Sequence, residues 1–373
     1  MRLEQLIEWV RRMASPTAQS GLIGNLRRVD PEFAAAEQAW ASPLPGDASF
    51  RHYCRITSPS GKRMMLMDAP APHESTRPFA TIAEDWFAAG IAVPELFAVD
   101  DDAGFIAMED LDDRTLFSLT GPRVAARSTE IEHYYQAAIE SLCRIQALPL
   151  DSEAVNAMPR YDEALLRRET ALFRDWLLEA CLELSPAVVP QSHELLTALD
   201  DVLVLEALAQ PHSVVHRDYH SRNLMIDERD AVRIIDFQDA VVGPSSYDLV
   251  SLLKDCYVLL DDSLRQRLMT HYIAHSGSRT GQNNVAAFTQ VQFDLMGMQR
   301  HLKAAGIFAR LYRRDGKARY LKDIPLVLTY LADTAAALSK TSRYVDIMQR
   351  LETLLRKEVI PAYDVFARTT DQP

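Results

Sequence analysis

Cysteine is scarce in this chain: there are four in 373 residues. Cys54, Cys143, Cys181 and Cys256 lie far apart, without paired metal spacing, and a chain this long needs no staples for stability. They are expected to be reduced thiols. Positive charge is also short, with 40 Lys and Arg against 52 Asp and Glu and a formal charge of −12. That balance disfavours a bulk electrostatic hold on nucleic acid or anionic lipid, so an anionic ligand has to meet local cations. No apolar run is long enough to cross a membrane. The opening MRLEQLIEWVRRM spaces Leu3, Leu6, Ile7, Val10 and Met13 as a helix, but it has acids inside it and neither a long apolar core nor a cleavage site. Cytoplasm is the expected compartment, and a monomer the expected state. Internal repeats and low-complexity segments are missing too.

What is present is ordinary globular composition, 48% hydrophobic and 25% charged, with length enough for two lobes. Residues 1–41 read as an N-terminal helical extension, and the turn-rich SPLPGDAS that follows puts a boundary near residue 42. From 42 to 110 the rhythm is that of a β-rich lobe. FRHYCRITS and RMMLMD flank PSGK as strand, turn, strand; a helix follows from about Thr76 with Phe79, Ile82, Ala83, Trp86 and Phe87 on one stripe and Gly90 at its stop; VPELFAVDDDAGFIAMEDL adds two strands. Residues 111–373 are largely helical, with Ile131, Tyr135, Ala138, Leu142 and Ile145 on one stripe and Leu165, Leu172, Trp176 and Ala180 on another. The exception is SVVHRD, NLMID and VRIIDF, short β-rich runs separated by polar turns.

Within those runs, HRDYHSRNLMI (216–226) and the following IDFQDA carry the chemistry. Phosphoryl transfer from a nucleotide needs a group that orients the attacking hydroxyl and accepts its proton, and oxygen ligands for the cation bridging the phosphates. Asp218 is the expected base, with Asn223 and Asp236 as ligands of Mg2+ in an ATP-dependent reaction. Placing them at strand ends and in the intervening loop lets three short side chains converge.

This order resembles the kinase-like fold, with HRD....N as the catalytic loop and the later Asp as the metal ligand. The chain has neither a G-x-G-x-x-G loop nor an A-P-E element, and it reads DFQ where protein kinases have DFG. Together with GDASFRHYCR and IDFQDAVVGPSSYDLVSLLKD, the motifs resemble the aminoglycoside phosphotransferase and choline kinase superfamily. The branch most similar is the bacterial anomeric kinase of cell-wall recycling, acting on N-acetylmuramic acid and N-acetylglucosamine. The resemblance implies an α+β, bilobal protein-kinase-like fold, with a small antiparallel β lobe carrying one main helix and a larger, mostly helical lobe. It also implies a nucleotide and a small-molecule sugar as partners.

The family's strand lysine is missing, since Met67 stands where it would align, so Glu84 on the first-lobe helix has no such partner. Arg55, or else Arg51, is the candidate replacement cation. Gly46 to Ser49 are small enough for backbone N–H groups to approach phosphate, with Ser49 adding a hydroxyl. Backbone groups of Glu109 and Leu111 are expected at the adenine edge. His216 is expected to buttress the loop, Arg217 to form a surface salt bridge, and Asp248 to cap its helix or support the loop. Candidate sugar or phosphate contacts are His220, Arg222, Asp255, Arg300 and Lys303, the last two forming a positive patch suited to a carboxylated sugar. Phe173 and Trp176 read as core. Competing readings are a choline, homoserine or aminoglycoside kinase, a nucleotide-binding pseudokinase, and a metal-dependent phosphohydrolase using His216, Asp218 and His220.

Overall fold

A computed structural model describes residues 1–15, 28–45, 50–70, 74–125, 128–182, 184, 187–276 and 288–370. Its contacts divide the chain into two compact units, Met1–Thr115 with Asn223–Asp239, and Leu116–Arg222 with Ala240–Pro373.

The first unit is built on an antiparallel sheet ordered β1-β2-β3-β5-β4. Its strands are β1 (Ala41–Pro43), β2 (His52–Thr57), β3 (Arg63–Asp68), β4 (Leu96–Asp100) and β5 (Phe105–Met108). The β2–β3 turn closes through Gly61, at φ +87°, a conformation that favours glycine. Helix α1 (Leu3–Ala14) buries Leu6, Ile7, Trp9 and Val10 in a cluster with Cys54, Ile56, Leu66 and Phe105 of the strands. Arg2 anchors that end through Asp68 Oδ1 at 2.6 Å. Helix α2 (Arg77–Ala88) buries Phe79, Ile82, Ala83 and Trp86 and stops before Gly90. Phe87, expected on the same stripe, is half exposed, because the adjacent Trp86 takes the inward direction. Phe79 and Trp86 meet Phe237, ring centroids 4.8 and 5.7 Å apart.

The second unit takes over with α3 (Leu116–Thr120), β6 (Arg123–Val124), α4 (Thr129–Gln146), α5 (Glu153–Asn156), α6 (Glu163–Leu172), α7 (Val188–Leu208) and β7 (His212–Val215). The chain re-enters the first unit for the antiparallel pair β8 (Leu224–Ile226) and β9 (Val232–Ile234). It then leaves for good with β10 (Val241–Pro244), which pairs with β7, followed by α8 (Tyr247–Leu253), β11 (Leu259–Leu260), α9 (Asp262–Ser276), α10 (Gln290–Asp315), α11 (Ile324–Thr341), α12 (Val345–Leu354) and α13 (Ile360–Thr370).

Helix α10 is the centre of the second unit's core. A Thr289–Gln292 capping box starts it, satisfying two orphan backbone donors reciprocally, and Gly316 at φ +67° ends it. Gly306 lets α6 approach, since a Cβ there would collide with the Leu172 backbone. The stripe expected as Leu165, Leu172, Trp176 and Ala180 is displaced: the buried residues are Leu166, Glu169, Thr170, Phe173 and Leu177. The offset is already present in the regular helix before Phe173, and the buried face continues into a π-helical turn over Phe173–Glu179. Among the described residues, no helix is long and apolar enough to cross a membrane.

Candidate active site

In the second unit, the loop after β7 is held by the carboxylate of Asp248 at the start of α8. Asp248 accepts the backbone N–H groups of His216 (2.6 Å) and Arg217 (3.0 Å). Burial pushes its carboxyl up to about 7, against those two bonds, which favour the charged form. Arg217 turns the chain at φ +77°, a backbone state costing roughly 1–3 kcal/mol in a residue with a Cβ. Its guanidinium lies 2.6 Å from Glu169 Oε1, whose side chain is 6% exposed. The surface bridge expected of Arg217 is thus a largely buried one. His216 is fully buried and its Nδ1 accepts the N–H of Asp218 at 3.3 Å, and the Tyr219 hydroxyl donates to Ala138 O on α4.

The Asp218 carboxyl is held down at about 2: burial acts to raise it, but Lys303, His220, Arg300 and His216 together outweigh that effect. Arg300 and Lys303 come from α10 and are 6% and 8% exposed. Arg300 Nε donates to the Ser251 hydroxyl at 2.6 Å, and Lys303 Nζ donates to the Tyr247 hydroxyl at 3.0 Å and pairs with Glu169 at 3.1 Å. Burial works against the charge of Lys303, while Tyr247, Glu169 and Asp218 raise its pKa above the ordinary value. These two cations, expected as a patch open to substrate, are instead enclosed. Their sequence signal, polar residues breaking an apolar helix, marked a buried network rather than a solvated stripe.

Asp255 is fully buried and accepts from the backbone N–H groups of Ser221 (2.9 Å) and Tyr257 (2.8 Å). These bonds hold the loop, where the sequence reading expected a sugar contact. The guanidinium of Arg222 lies 3.6 Å from the Tyr257 ring centroid and 3.5 Å from Asp323, and His220 meets the same ring edge-on at 5.2 Å. His216, Asp218 and His220 do not draw their ligand atoms together as a metal group among the described residues, which removes the motive for the phosphohydrolase reading.

In the first unit, a cavity of about 400 Å³ opens between sheet and β8–β9 pair, with Leu44, Met65, Met108, Met225 and Ile235 in its walls and Arg51, Tyr53, Asn223 and Asp236 also lining it. Apolar walls with a few polar groups suit a nucleotide base and its phosphates. Asp236 sits exposed at φ +65°, where Gln238 Nε2 (2.8 Å) and Asn223 Nδ2 (3.3 Å) donate to it. An amide and a carboxylate side by side are hard oxygen donors of the kind Mg2+ takes. Tyr53 is pushed up to about 12, first by burial and then by the charge of Asp236.

The replacement cation is where the expectation shifts. Arg55 is clamped by Asp110 (2.7 Å) and Asp113 (3.0 Å) and does not line the cavity. Arg51 does line it, paired with Glu74 at 2.9 Å. Met67, at the lysine position, is fully buried, and Glu84 Oε1 is shielded from solvent without a hydrogen bond, its carboxyl raised by burial. Glu109 and Leu111 both line the cavity. The Glu109 N–H donates to Glu95 O at 2.8 Å and its carboxylate pairs with Arg233. Gly46, Asp47, Ala48 and Ser49 lie outside the described residues.

The model of a family described as "Phosphotransferase enzyme family" matches residues 40–282. The chain is 38% identical over 299 residues to an N-acetylmuramate/N-acetylglucosamine kinase of Pseudomonas aeruginosa, covering 79% of this chain and 83% of that one. It is 33% identical over 354 residues to a protein of the same name from Pseudomonas putida, covering 94% and 97%. Among solved structures, a choline kinase of Cryptosporidium parvum (12% identity, TM-score 0.58, covering 95% and 99%) and an ethanolamine kinase of Plasmodium vivax (11%, 0.54, 88% and 94%) share the fold.

Proposed function

Since the chain belongs to the phosphotransferase enzyme family, we propose that it is an ATP-dependent amino-sugar kinase that phosphorylates the anomeric hydroxyl of N-acetylmuramic acid and N-acetylglucosamine. The observation that carries this reading is the identity to kinases of that name over most of the chain. In this role the Asp218 carboxylate accepts a hydrogen bond from the sugar hydroxyl and aims it in line at the terminal phosphoryl group. A carboxyl held near 2 is a weak base, so it orients first and takes the proton late, as a loose transition state allows. An anomeric hydroxyl gives up its proton more readily than an ordinary alcohol, which suits such a base.

Asn223 and Asp236 would hold Mg2+, which supplies charge neutralisation at the phosphates. Arg51 replaces the missing lysine as the phosphate-end cation. The Glu109 carbonyl and the Leu111 N–H recognise the adenine edge, and Ser49 is a phosphate contact. Arg300 and Lys303 act through Asp218, keeping it ionised, while His220 and Arg222 remain as sugar contacts beside Tyr257. Arg55, Glu84 and Asp255 are assigned to the frame rather than to ligands.

The buried Met67 favours one rival, a nucleotide binder without transfer. A single assay separates them: incubate with ATP, Mg2+ and a sugar panel and follow phosphate by 31P NMR. A sugar 1-phosphate that resists borohydride, with N-acetylmuramic acid and N-acetylglucosamine preferred, supports the proposal. Phosphate reaching water alone, another hydroxyl, or no acceptor would refute it.

A further inference from the structure

In the second unit, the HYIAH run of α9 places His271 and His275 one turn apart, and both face Glu140 of α4. None of the three has a part in the phosphoryl-transfer reading. Nε2 of His271 lies 3.4 Å, and Nε2 of His275 3.8 Å, from Glu140 Oε1, and the three ligand atoms lie within 4.8 Å of one another. A tetrahedral ion with bonds near 2.0–2.1 Å spaces its ligands about 3.3 Å apart, so the group is within a small side-chain adjustment of that geometry.

The tautomer points the same way. His275 Nδ1 lies 2.8 Å from the carbonyl oxygen of His271, and because a carbonyl can only accept, Nδ1 carries the proton. In the neutral ring Nε2 is then a bare lone pair facing a carboxylate oxygen, acceptor against acceptor, a pairing that a cation between them turns from repulsive to attractive. A ring nitrogen bonded to a backbone carbonyl is also how metal-ligating histidines are usually oriented. His271 Nε2 is shielded from solvent and makes no hydrogen bond of ordinary geometry. Elsewhere along the same two helices, the Tyr272 hydroxyl donates to Gln146 and Arg267 pairs with Glu132 at 2.7 Å, so the helix faces are already locked side by side.

We propose that Glu140, His271 and His275 form a binding site for a divalent transition-metal ion such as Zn2+, with water completing the tetrahedron, which clamps α9 onto α4. Two imidazoles and a carboxylate select such an ion over Mg2+, which prefers oxygen. Because α4 receives the Tyr219 hydroxyl of the catalytic loop, the clamp braces a helix that supports that loop.

The test uses the full chain freed of metal by chelator, then given Zn2+ or Co2+ in excess Mg2+ and without nucleotide. Binding of one Zn2+ per chain, visible absorption of tetrahedral Co2+, and a Zn2+-dependent rise in unfolding midpoint are expected. His275→Gln and Glu140→Gln, both at partly exposed positions, should keep the far-UV circular dichroism and each lower Zn2+ affinity by at least about tenfold. Absence of Zn2+ binding to the wild type, or affinity in either variant equal to that of the wild type, would overturn the site.

Discussion

Asp218 and Asp236 are both carboxylates next to turns of positive φ, yet their surroundings differ in kind. Asp218 is partly buried and influenced by cations from its own loop and from α10. Asp236 is itself in the left-handed region, exposed, and met by the amides of Asn223 and Gln238. Fixed cations around the first lower its proton affinity and leave it a permanent anion for a neutral donor such as a hydroxyl. Side-chain amides around the second orient an exposed carboxylate, an oxygen donor of the kind a hard cation takes. On the proposed function, the difference teaches a division of labour: the acid among cations serves the acceptor, and the exposed acid serves the nucleotide's metal.

That contrast can be broken in graded ways. The largest effect is expected from Asp218→Asn, which removes the anion and keeps the shape: kcat should fall by roughly 10²–10⁴, measured by coupled ADP release. Next comes Lys303→Met. A depressed carboxyl pKa means that ionisation of Asp218 stabilises the fold above the ordinary carboxyl range, and that this contribution is lost as pH falls from about 4 towards about 2. Without Lys303 the folded pKa rises, so the acid limb of kcat/KM should move to higher pH. Urea unfolding at neutral pH should also report a loss of roughly 3 kcal/mol from the broken Glu169 pair. The smallest effect separates the two arginines: Arg51→Met should raise the KM for ATP about tenfold, the scale of one charged hydrogen bond, and Arg55→Met less than about twofold.

The strands around the proposed catalytic loop were legible in sequence, since β7, β8 and β9 fall on the short β-rich runs that flank it. The β2–β3 hairpin and α2 were legible from alternation, stripe and glycine stop. What escaped reading was tertiary. The cations around Asp218 come from α10, some eighty residues later, and nothing local distinguishes an enclosed Arg300 or Lys303 from a solvated one. Arg51 and Arg55 share a strand parity, but four residues of strand separate their positions by roughly 13 Å, and the acids that capture Arg55 lie beyond β5. The stripe of α6 was read one position off because Leu165 and Leu166 are both apolar, and only packing decides which of two such neighbours faces inward.

The division between the two acids is tested most directly by titrating ATP into Asp218→Asn and Asp236→Asn with and without Mg2+. The account predicts that the first binds nucleotide as the wild type does, with its Mg2+ dependence intact, while the second loses that dependence. If both variants lose it alike, or neither does, the two carboxylates do not have separate partners and the account fails.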